Sequence, residues 1–373
     1  MNLNPHHQSA PVNHTFYGGA HLFELETFPK IVEHATAFYR SLFPTAIDLK
    51  KLKIFADLTD AQCTNIFNTA MLKLAKNVED FRIDFEDGFG LRSGDEEDQY
   101  AKKTGEIAAK VQTNSECRMG LRLKSPERAT LQRIKRTFKI FFDAYFKAKQ
   151  IVEPGSHFVV TLPKVESLKS VQHFSNFVRQ YCRKKKIPNA FFKFEIMAET
   201  TKLVATNQST VQLTKIVDYL GSKLLGIHIG VYDYLSQLKI PPHAQNQNHP
   251  YIVQLEYFLL NNFSKYEISD GVYQEIPSLR DSVEAREIVN KQCEIILAKY
   301  DRGIYQGWDI HPHQLVGRFL AKAYFFEKHL ESIQTRYDHF KNSGEKAQKL
   351  GVIFDDAASV IGLEDFIRRS KSS

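Results

Sequence analysis

Short runs with the alternating pattern of β-strands recur along the chain, each followed by twenty or more residues whose apolar positions repeat every three or four residues. An alternation of strands and helices predicts a parallel sheet, and eight such units in a chain of this length predict a closed (β/α)8 TIM barrel. An open doubly wound sheet is the alternative, but no phosphate-binding glycine loop follows any of the runs. The eight predicted strands are 14–19, 81–88, 119–124, 157–165, 192–200, 223–231, 265–271 and 307–312.

Charged residues interrupt strands that should be almost wholly apolar, since a parallel barrel covers both faces of its strands. In the second strand Arg82, Asp84 and Glu86 alternate with apolar residues, and the third and fifth strands repeat the pattern. The apolar face must pack on the helices, so the charged face is expected to point into the barrel. Buried charges are costly unless they are paired or bind a metal. The pattern therefore predicts a site at the barrel mouth, and the alternative is an ion network that fills the barrel.

Two acids are candidate metal ligands: Glu199 ends the fifth strand, and Asp233 follows the sixth. Hard oxygen ligands with no His or Cys nearby favour Mg²⁺ or Mn²⁺ over zinc. Each acid alone is weak evidence, because an acid at the start of a helix often serves only as a cap.

Composition narrows the function classes further. The 373 residues are 43% hydrophobic and 25% charged, and no run approaches eighteen uninterrupted apolar residues. The N-terminus has no signal-peptide pattern, so we expect a cytoplasmic protein with no membrane partner. The four cysteines are far apart in sequence and form no C-x-x-C pair, which predicts reduced core thiols.

The formal charge of +7 raises the question of nucleic-acid binding. Much of the excess lies in 124–149, where eight Lys and Arg face two acids. The apolar residues of this stretch keep helical spacing, so the charges occupy the outer face of an amphipathic helix. We expect a solvated face and no nucleic-acid partner; a face for an anionic ligand tail or for nucleic acid is the alternative.

Seven local motifs, taken in order, resemble those of the HpcH/HpaI aldolase and citrate lyase β-subunit-like family, a group of metal-dependent carbon-carbon lyases. The resemblance covers about residues 14 to 320. The motifs are Asp84-Phe85-Glu86-Asp87, Gly120-Leu121-Arg122-Leu123, the intact L-P-K-x-E-S of 162–167, Met197-Ala198-Glu199-Thr200, Gly230-Val231-Tyr232-Asp233-Tyr234, Ile268-Ser269-Asp270-Gly271 and Ile310-His311-Pro312-His313-Gln314.

The resemblance implies roles for these residues. Glu199 and Asp233 would hold the metal, and Arg122 would contact the substrate carboxylate or the developing enolate oxygen. The remaining motif residues would bind the substrate or hold metal waters and neighbouring side chains. These residues are Asp84, Glu86, Asp87, Lys164 and His311. A homo-oligomer is also implied.

The sequence departs from the family pattern in three places. These departures bear on which substrate binds, because the loops above a barrel select the substrate. The first strand reads HTFYGGAHLF, the loop after the second strand carries an extra GFGLRSGDEED, and residues 321–373 form a helical extension, expected to pack on the barrel or on a neighbouring subunit. His21 follows the altered strand; it is a candidate acid/base, or simply a hydrogen-bonded loop histidine.

The expected function is a Mg²⁺-dependent carbon-carbon lyase or aldolase acting on a 2-oxo acid, a hydroxy acid or its CoA thioester. His21, Asp87 and a metal-bound water are the candidates for moving the proton. The competing interpretation is a non-catalytic barrel that binds a metabolite.

Overall fold

The computed structural model describes residues 12–76, 78–149, 155–204, 211–344 and 346–371. Eight parallel strands form one sheet, and each predicted strand is present. The first has its predicted bounds, the second and third begin one residue earlier, and all but the first end earlier than predicted. The TIM-barrel prediction is confirmed. The barrel strands are β1 (His14–Gly19), β2 (Asp80–Asp84), β3 (Arg118–Arg122), β4 (Phe158–Leu162), β5 (Phe192–Ala198), β6 (Leu224–Ile229), β7 (Glu267–Ser269) and β8 (Gly307–Asp309).

Strand neighbours follow the chain order from β1 to β7, and β1 pairs with both β2 and β8. The ring closes through a parallel bridge between Ser269, at the end of β7, and Gln306, just before β8. The Asp270 backbone N–H donates to the Gln306 carbonyl at 2.9 Å at the same seam. All eight strands therefore end on one rim of a nearly closed barrel.

Helices surround the barrel and cover the apolar outer face of the strands. They are α1 (Thr27–Leu42), α2 (Asp60–Leu74), α3 (Gly94–Asn114), α4 (Leu131–Lys149), α5 (Leu168–Lys185), α6 (Thr201–Val204), α7 (Gln212–Leu220), α8 (Val231–Gln237), α9 (Pro250–Phe263), α10 (Ser282–Asp301), α11 (Gln314–Asn342) and α12 (Ala357–Lys371). None of the described helices combines the length and hydropathy needed to span a membrane. All four cysteines are buried and free, as expected.

The basic stretch of 124–149 forms α4, and part of its charge is neutralised by acids of α3. Arg133 and Arg136 both bind Asp98, and Arg133 also lies 3.1 Å from Glu97. Lys124 lies beyond the end of β3 and binds Glu97 at 2.7 Å, so it does not point into the barrel as the alternation predicted.

The predicted boundary between residues 320 and 321 falls inside α11, which continues without interruption to Asn342. A short hairpin, β9 (Gln348–Leu350) and β10 (Ile353–Asp355), follows where the sequence predicted helix, and α12 then returns. Phe366 of α12 packs with ring-centroid distances of 5.5 Å and 5.0 Å on Phe325 and Phe326 of α11. The described extension thus rests on the last barrel helix; packing on a neighbouring subunit stays a prediction.

Inward-pointing charges form two layers along the barrel axis. In the lower layer, the buried Arg82 binds Asp80 and Glu195. Arg118 binds the same Asp80 at 2.7 Å and also binds Glu267 at 2.9 Å. This layer is an ion network of the kind expected as the alternative to a site. It lies beneath the mouth, and the charges of the motif residues lie above it, so both interpretations describe part of the barrel.

Lys322 of α11 gives a test of the packing at the opposite end of the barrel. Burial lowers its pKa to about 7 despite the nearby Glu79, and its Nζ donates to Asn13 Oδ1. Between pH 7 and about 10 the unfolded chain would keep this proton while the folded chain does not, so the free energy of unfolding should rise with pH by at most about 1.4 kcal/mol per unit. Lys322→Met should remove that part of the slope. Chemical denaturation of both proteins at several pH values measures it, and identical slopes would contradict the prediction.

Candidate active site

A cavity of about 660 Å³ opens at the carboxyl ends of the strands and is lined by Asp84, Asp87, Arg122, Glu199 and Asp233, among other residues. This is the rim where TIM-barrel enzymes place their chemistry. The structure therefore brings most of the motif residues into one place. The described residues contain no complete shell of three or more His, Cys, Asp or Glu side chains arranged for a metal. Any metal bound here would need oxygen atoms from water or substrate.

Arg122 ends β3 and is buried at the centre of the mouth. Its Nε and Nη2 donate to the two oxygens of Asp84, at 2.7 Å and 2.5 Å. The guanidinium also lies over the ring of Tyr17, 4.9 Å from its centroid, and 5.8 Å from that of Trp308. A bidentate carboxylate and two aromatic rings fix both the position and the plane of this cation.

The third guanidinium nitrogen of Arg122 is held less closely. Nη1 donates to Met197 Sδ at 3.8 Å and lies 3.6 Å from Glu86 and 3.9 Å from Asp87. The two carboxylate distances exceed those of good hydrogen bonds to oxygen. Nη1 is thus the least tightly held donor of Arg122.

Glu199 follows β5 and is buried against the mouth. Its carboxylate accepts from the backbone N–H of Lys164 at 2.5 Å, and Lys164 takes up a left-handed conformation, φ 49°, that lysine rarely adopts. A Cβ on Gly230 would lie 2.3 Å from Glu199 Oε2, so only glycine fits opposite this carboxylate. The backbone at Lys164, after β4, and at Gly230, after β6, therefore leaves the space that the Glu199 carboxylate occupies.

Electrostatics at the mouth favour a cation. Burial, together with the negative charges of Asp233 and Glu86, raises the pKa of Glu199 to about 8. Burial also raises the pKa of Asp233, against the effect of Lys164. The carboxylates of Asp84, Glu86, Asp87, Glu199 and Asp233 outnumber the cations Arg122 and Lys164. A bound cation would offset this excess of negative charge.

Lys164 reaches across the mouth with its side chain. Its ammonium binds Glu86, lies 3.0 Å from Asp87 Oδ1 and stands 3.9 Å from Asp233 Oδ1. Burial raises the pKa of Glu86 to about 7, and its hydrogen bond with Asp87 acts in the same direction. Partial burial acts to raise the pKa of Asp87, but its hydrogen bonds with Glu86 and Lys164 outweigh burial and lower this pKa. Glu86 is nearly covered, whereas Asp87 is exposed to the cavity.

The two predicted histidines differ in their placement. His311 lines the cavity, and burial and the neighbouring His313 lower its pKa to about 4, so it is neutral near pH 7. Its Nδ1 accepts from the His313 backbone N–H at 3.2 Å, which leaves Nε2 as a donor. His21 does not line the cavity; its ring lies 5.9 Å from that of Phe89, and its Nδ1 is buried with no hydrogen-bond partner among the described residues. Its catalytic role stays a prediction.

Sequence reasoning missed the aromatic residues that hold Arg122. Tyr17 hydrogen-bonds through its hydroxyl to His228 Nδ1 at 2.9 Å, and His228 Nε2 lies 3.4 Å from Glu195 in the lower ion layer. Trp308, the only tryptophan of the chain, donates to the Ile229 carbonyl at 3.3 Å. Both sit inside predicted strands, at positions whose inward orientation the strand alternation could have indicated.

The chain belongs to the family described as a domain of unknown function, DUF6986, whose model matches residues 4–373. No curated protein sequence matches it.

Solved structures share its fold. A citrate lyase from Burkholderia xenovorans LB400 is 16% identical with a TM-score of 0.61, and the match covers 98% of this chain and 93% of the other. CitE from Mycobacterium tuberculosis, in complex with magnesium, acetoacetate and coenzyme A, is 14% identical with a TM-score of 0.54, over 96% and 98% of the two chains. Haloferax volcanii malate synthase, as a magnesium/glyoxylate complex, is 14% identical with a TM-score of 0.53, over 96% and 82%. The fold-level resemblance predicted from the motifs is confirmed.

Proposed function

We propose that this member of the DUF6986 family is a Mg²⁺-dependent carbon-carbon lyase or aldolase acting on a 2-oxo acid, a hydroxy acid or its CoA thioester. One observation carries the proposal. Two carboxylates with raised pKa values, Glu199 and Asp233, share a cavity with Arg122, whose Nη1 is held only by longer contacts. A cation site beside a fixed positive donor suits a substrate with adjacent carboxylate and carbonyl oxygens.

The donor set fits a hard divalent cation. Glu199 and Asp233 offer only oxygen, and no cysteine lies among the residues that line the cavity. Mg²⁺ is commonly held by one or two carboxylates and completes its shell with water and substrate, as this mouth would require. Mn²⁺ would fit the same oxygens. When bound, such an ion would polarise the carbonyl of the substrate.

Arg122 would stabilise the negative charge that develops on a substrate oxygen. Arg122 lines the cavity, and its Nη1 has only longer contacts, to Met197, Glu86 and Asp87, while Asp84 holds Nε and Nη2. Because the group is already fixed by Asp84 and Tyr17, little reorganisation is needed as charge appears. His311 would add a neutral donor at the rim, and Lys164 would position Glu86 and Asp87.

Asp87 is the acid that the geometry favours for moving a proton. Its carboxylate is exposed to the cavity and is bracketed by Lys164 at 3.0 Å and Arg122 at 3.9 Å. His21 is less favourably placed, because it lies outside the cavity lining. A cytoplasmic location and a homo-oligomeric assembly complete the proposal.

A substrate screen tests the proposed function. We expect at least one 4-hydroxy-2-oxo acid, or a malyl- or citryl-type CoA thioester, to release pyruvate, oxaloacetate, glyoxylate or acetyl-CoA in a reaction that Mg²⁺ supports and a chelator stops. Coupled assays measure each product. If oxo acids bind in the presence of Mg²⁺ but the whole screen shows no turnover, the chain is a non-catalytic metabolite-binding barrel, and the proposed activity is wrong.

A further inference from the structure

Tyr17 connects the two charged layers of the barrel. Its ring lies at the mouth, with its centroid 4.9 Å from the guanidinium carbon of Arg122. Its hydroxyl lies 2.9 Å from His228 Nδ1, and His228 Nε2 lies 3.4 Å from Glu195 Oε1 in the lower layer. The three residues Tyr17, His228 and Glu195 are at most 3% exposed. They are here called the buried link, because they join the lower ion layer to the cation at the mouth.

Glu195 sets the direction of the hydrogen bonds in the buried link. Arg82 donates to both of its carboxylate oxygens, and the Thr161 hydroxyl donates to Oε2 at 2.7 Å. Burial acts to raise the pKa of Glu195, but the neighbouring Arg82 and His228 outweigh burial and hold this pKa well below its ordinary value. Glu195 is therefore an anion that can only accept hydrogen bonds.

This anion determines which nitrogen of His228 carries the proton. A proton on Nε2 faces the Glu195 carboxylate, whereas a bare Nε2 would set its lone pair against the negative charge. In the neutral ring the proton therefore lies on Nε2, and Nδ1 accepts from the Tyr17 hydroxyl. The hydroxyl of Tyr17 is thus a donor.

The direction of this hydrogen bond matters for Arg122. A phenol that donates along a chain ending on an anion is polarised, and its ring face gains negative charge. That face then attracts the guanidinium of Arg122 more strongly. The hydrogen bond to His228 also anchors the ring at its hydroxyl end, while Trp308 packs on the ring at a centroid distance of 4.7 Å. The charge and the tilt of the ring that holds Arg122 therefore both depend on His228.

We propose that Tyr17 and His228 are positioning residues for Arg122, and that Glu195 supports them from the lower layer. Asp84 holds two nitrogens of the guanidinium, and the ring of Tyr17 holds its plane, so Nη1 keeps one position as charge develops on the substrate. The lower ion layer then supports the reaction and does not only fill the barrel. The inference rests on the proposed function, since it takes Arg122 as the group that stabilises the developing charge.

Kinetics on the substrate found by the screen tests the proposal. Tyr17→Phe keeps the ring and removes the hydroxyl, so kcat should fall about 10-fold, because a misplaced catalytic group is costly, while oxalate binding with Mg²⁺ changes little. His228→Leu removes the acceptor and should have the same effect. The double variant should lose no more than the worse single variant, since both changes break one link. Tyr145→Phe is the matched control: its buried hydroxyl donates to Gln112, and neither residue lines the cavity. It should keep the wild-type kcat.

Hydrogen exchange of the Arg122 Nε–H, followed by NMR, tests the buried link without a substrate. The signal is identified by its absence in Arg122→Lys, and its exchange rate reports how firmly the guanidinium is held on Asp84. Exchange should be about 10-fold faster in Tyr17→Phe and in His228→Leu, as expected for the loss of one buried hydrogen bond. It should stay at the wild-type rate in Tyr145→Phe.

The outcomes separate the two proposals. If the screen finds turnover but exchange and kcat are unchanged in both variants, the positioning role is wrong and the proposed function stands. If exchange is faster while the whole screen is silent, Tyr17 and His228 do hold Arg122 and the proposed function fails. Additive losses in the double variant, or oxalate binding that falls as much as kcat, would show a merely structural role and overturn the proposal.

His228→Asn decides if His228→Leu does not fold. The asparagine side-chain oxygen can take the place of Nδ1 as the acceptor for the Tyr17 hydroxyl. This variant should therefore keep more of the wild-type kcat and slower Arg122 Nε–H exchange than Tyr17→Phe. A loss equal to that of Tyr17→Phe would contradict the proposed role of His228.

Discussion

Glu199→Gln and Asp233→Asn should each weaken Mg²⁺ binding and lower turnover by about 100-fold or more. Loss of an outer partner of a metal ligand already costs 10- to 100-fold in affinity or activity, and loss of the ligand should cost at least as much. The glutamine amide keeps an oxygen that can accept from the Lys164 N–H, so the loop around Glu199 should hold its shape. Titration calorimetry with Mg²⁺ alone, and then with Mg²⁺ and oxalate, measures the loss without requiring turnover.

Glu166→Gln provides the matched control for these carboxylates. Glu166 belongs to the same L-P-K-x-E-S loop but binds Lys202 at 2.6 Å and does not line the cavity. It should therefore bind Mg²⁺ as the wild type does. Unchanged metal binding in both the Glu199 and Asp233 variants would show that these acids are not the ligands, and an equal loss in Glu166→Gln would mean that the effect is not specific to the site.

The sequence predicted the barrel and its mouth because both depend on simple periodicities. Strand alternation with a period of two places residues such as Asp84 and Arg122 on the inner face, and parallel strands bring their ends to one rim. The same periodicity does not tell which residues of different strands share a layer. Arg82 precedes Asp84 by two residues and Glu195 precedes Glu199 by four, so the order along each strand follows from the sequence. That Asp84 lies beside Arg122 while Arg82 binds Glu195 in the layer below depends on the register between strands, which only the folded barrel shows.

Element boundaries were less predictable, since they are set by local capping and turns. Ser125 and Pro126 predict the start of a helix, but α4 begins at Leu131. The Ser125 hydroxyl instead donates to the Lys164 carbonyl at 3.1 Å, which joins the loops after β3 and β4. In the extension, Gly351 has φ 60° and lies between β9 and β10, where the sequence predicts a helix.

The position of His21 shows a further limit of sequence reasoning. A histidine just after the first strand is close to the rim in every barrel of this kind, but which way it points depends on the turn that carries it. Here the 3₁₀ turn Ala20–Leu22 directs it toward Phe89, and neither ring lines the cavity.

Arg122→Lys should lower kcat about 100-fold or more, roughly 2.7 kcal/mol, while ground-state binding changes much less. Lysine keeps the charge but lacks the planar guanidinium. That group binds Asp84 through two nitrogens, Nε and Nη2, and still has Nη1 for a ligand. The size of the loss is that expected for one preorganised donor which acts on charge present only in the transition state. The rings of Tyr17 and Trp308, which now fix the guanidinium plane, would hold an ammonium less well.

Steady-state kinetics on the substrate found by the screen, together with calorimetry of oxalate binding, separates kcat from ground-state affinity. Arg92→Lys is the control, because Arg92 also lies over an aromatic ring, 4.8 Å from the centroid of Phe89, but does not line the cavity. It should keep wild-type kinetics. If Arg122→Lys raises only KM and weakens oxalate binding in proportion, Arg122 anchors a carboxylate in the ground state, and charge stabilisation must come from other groups at the mouth. A loss confined to kcat places the guanidinium at the oxygen where charge develops, which is the role expected of a donor as loosely held as Nη1.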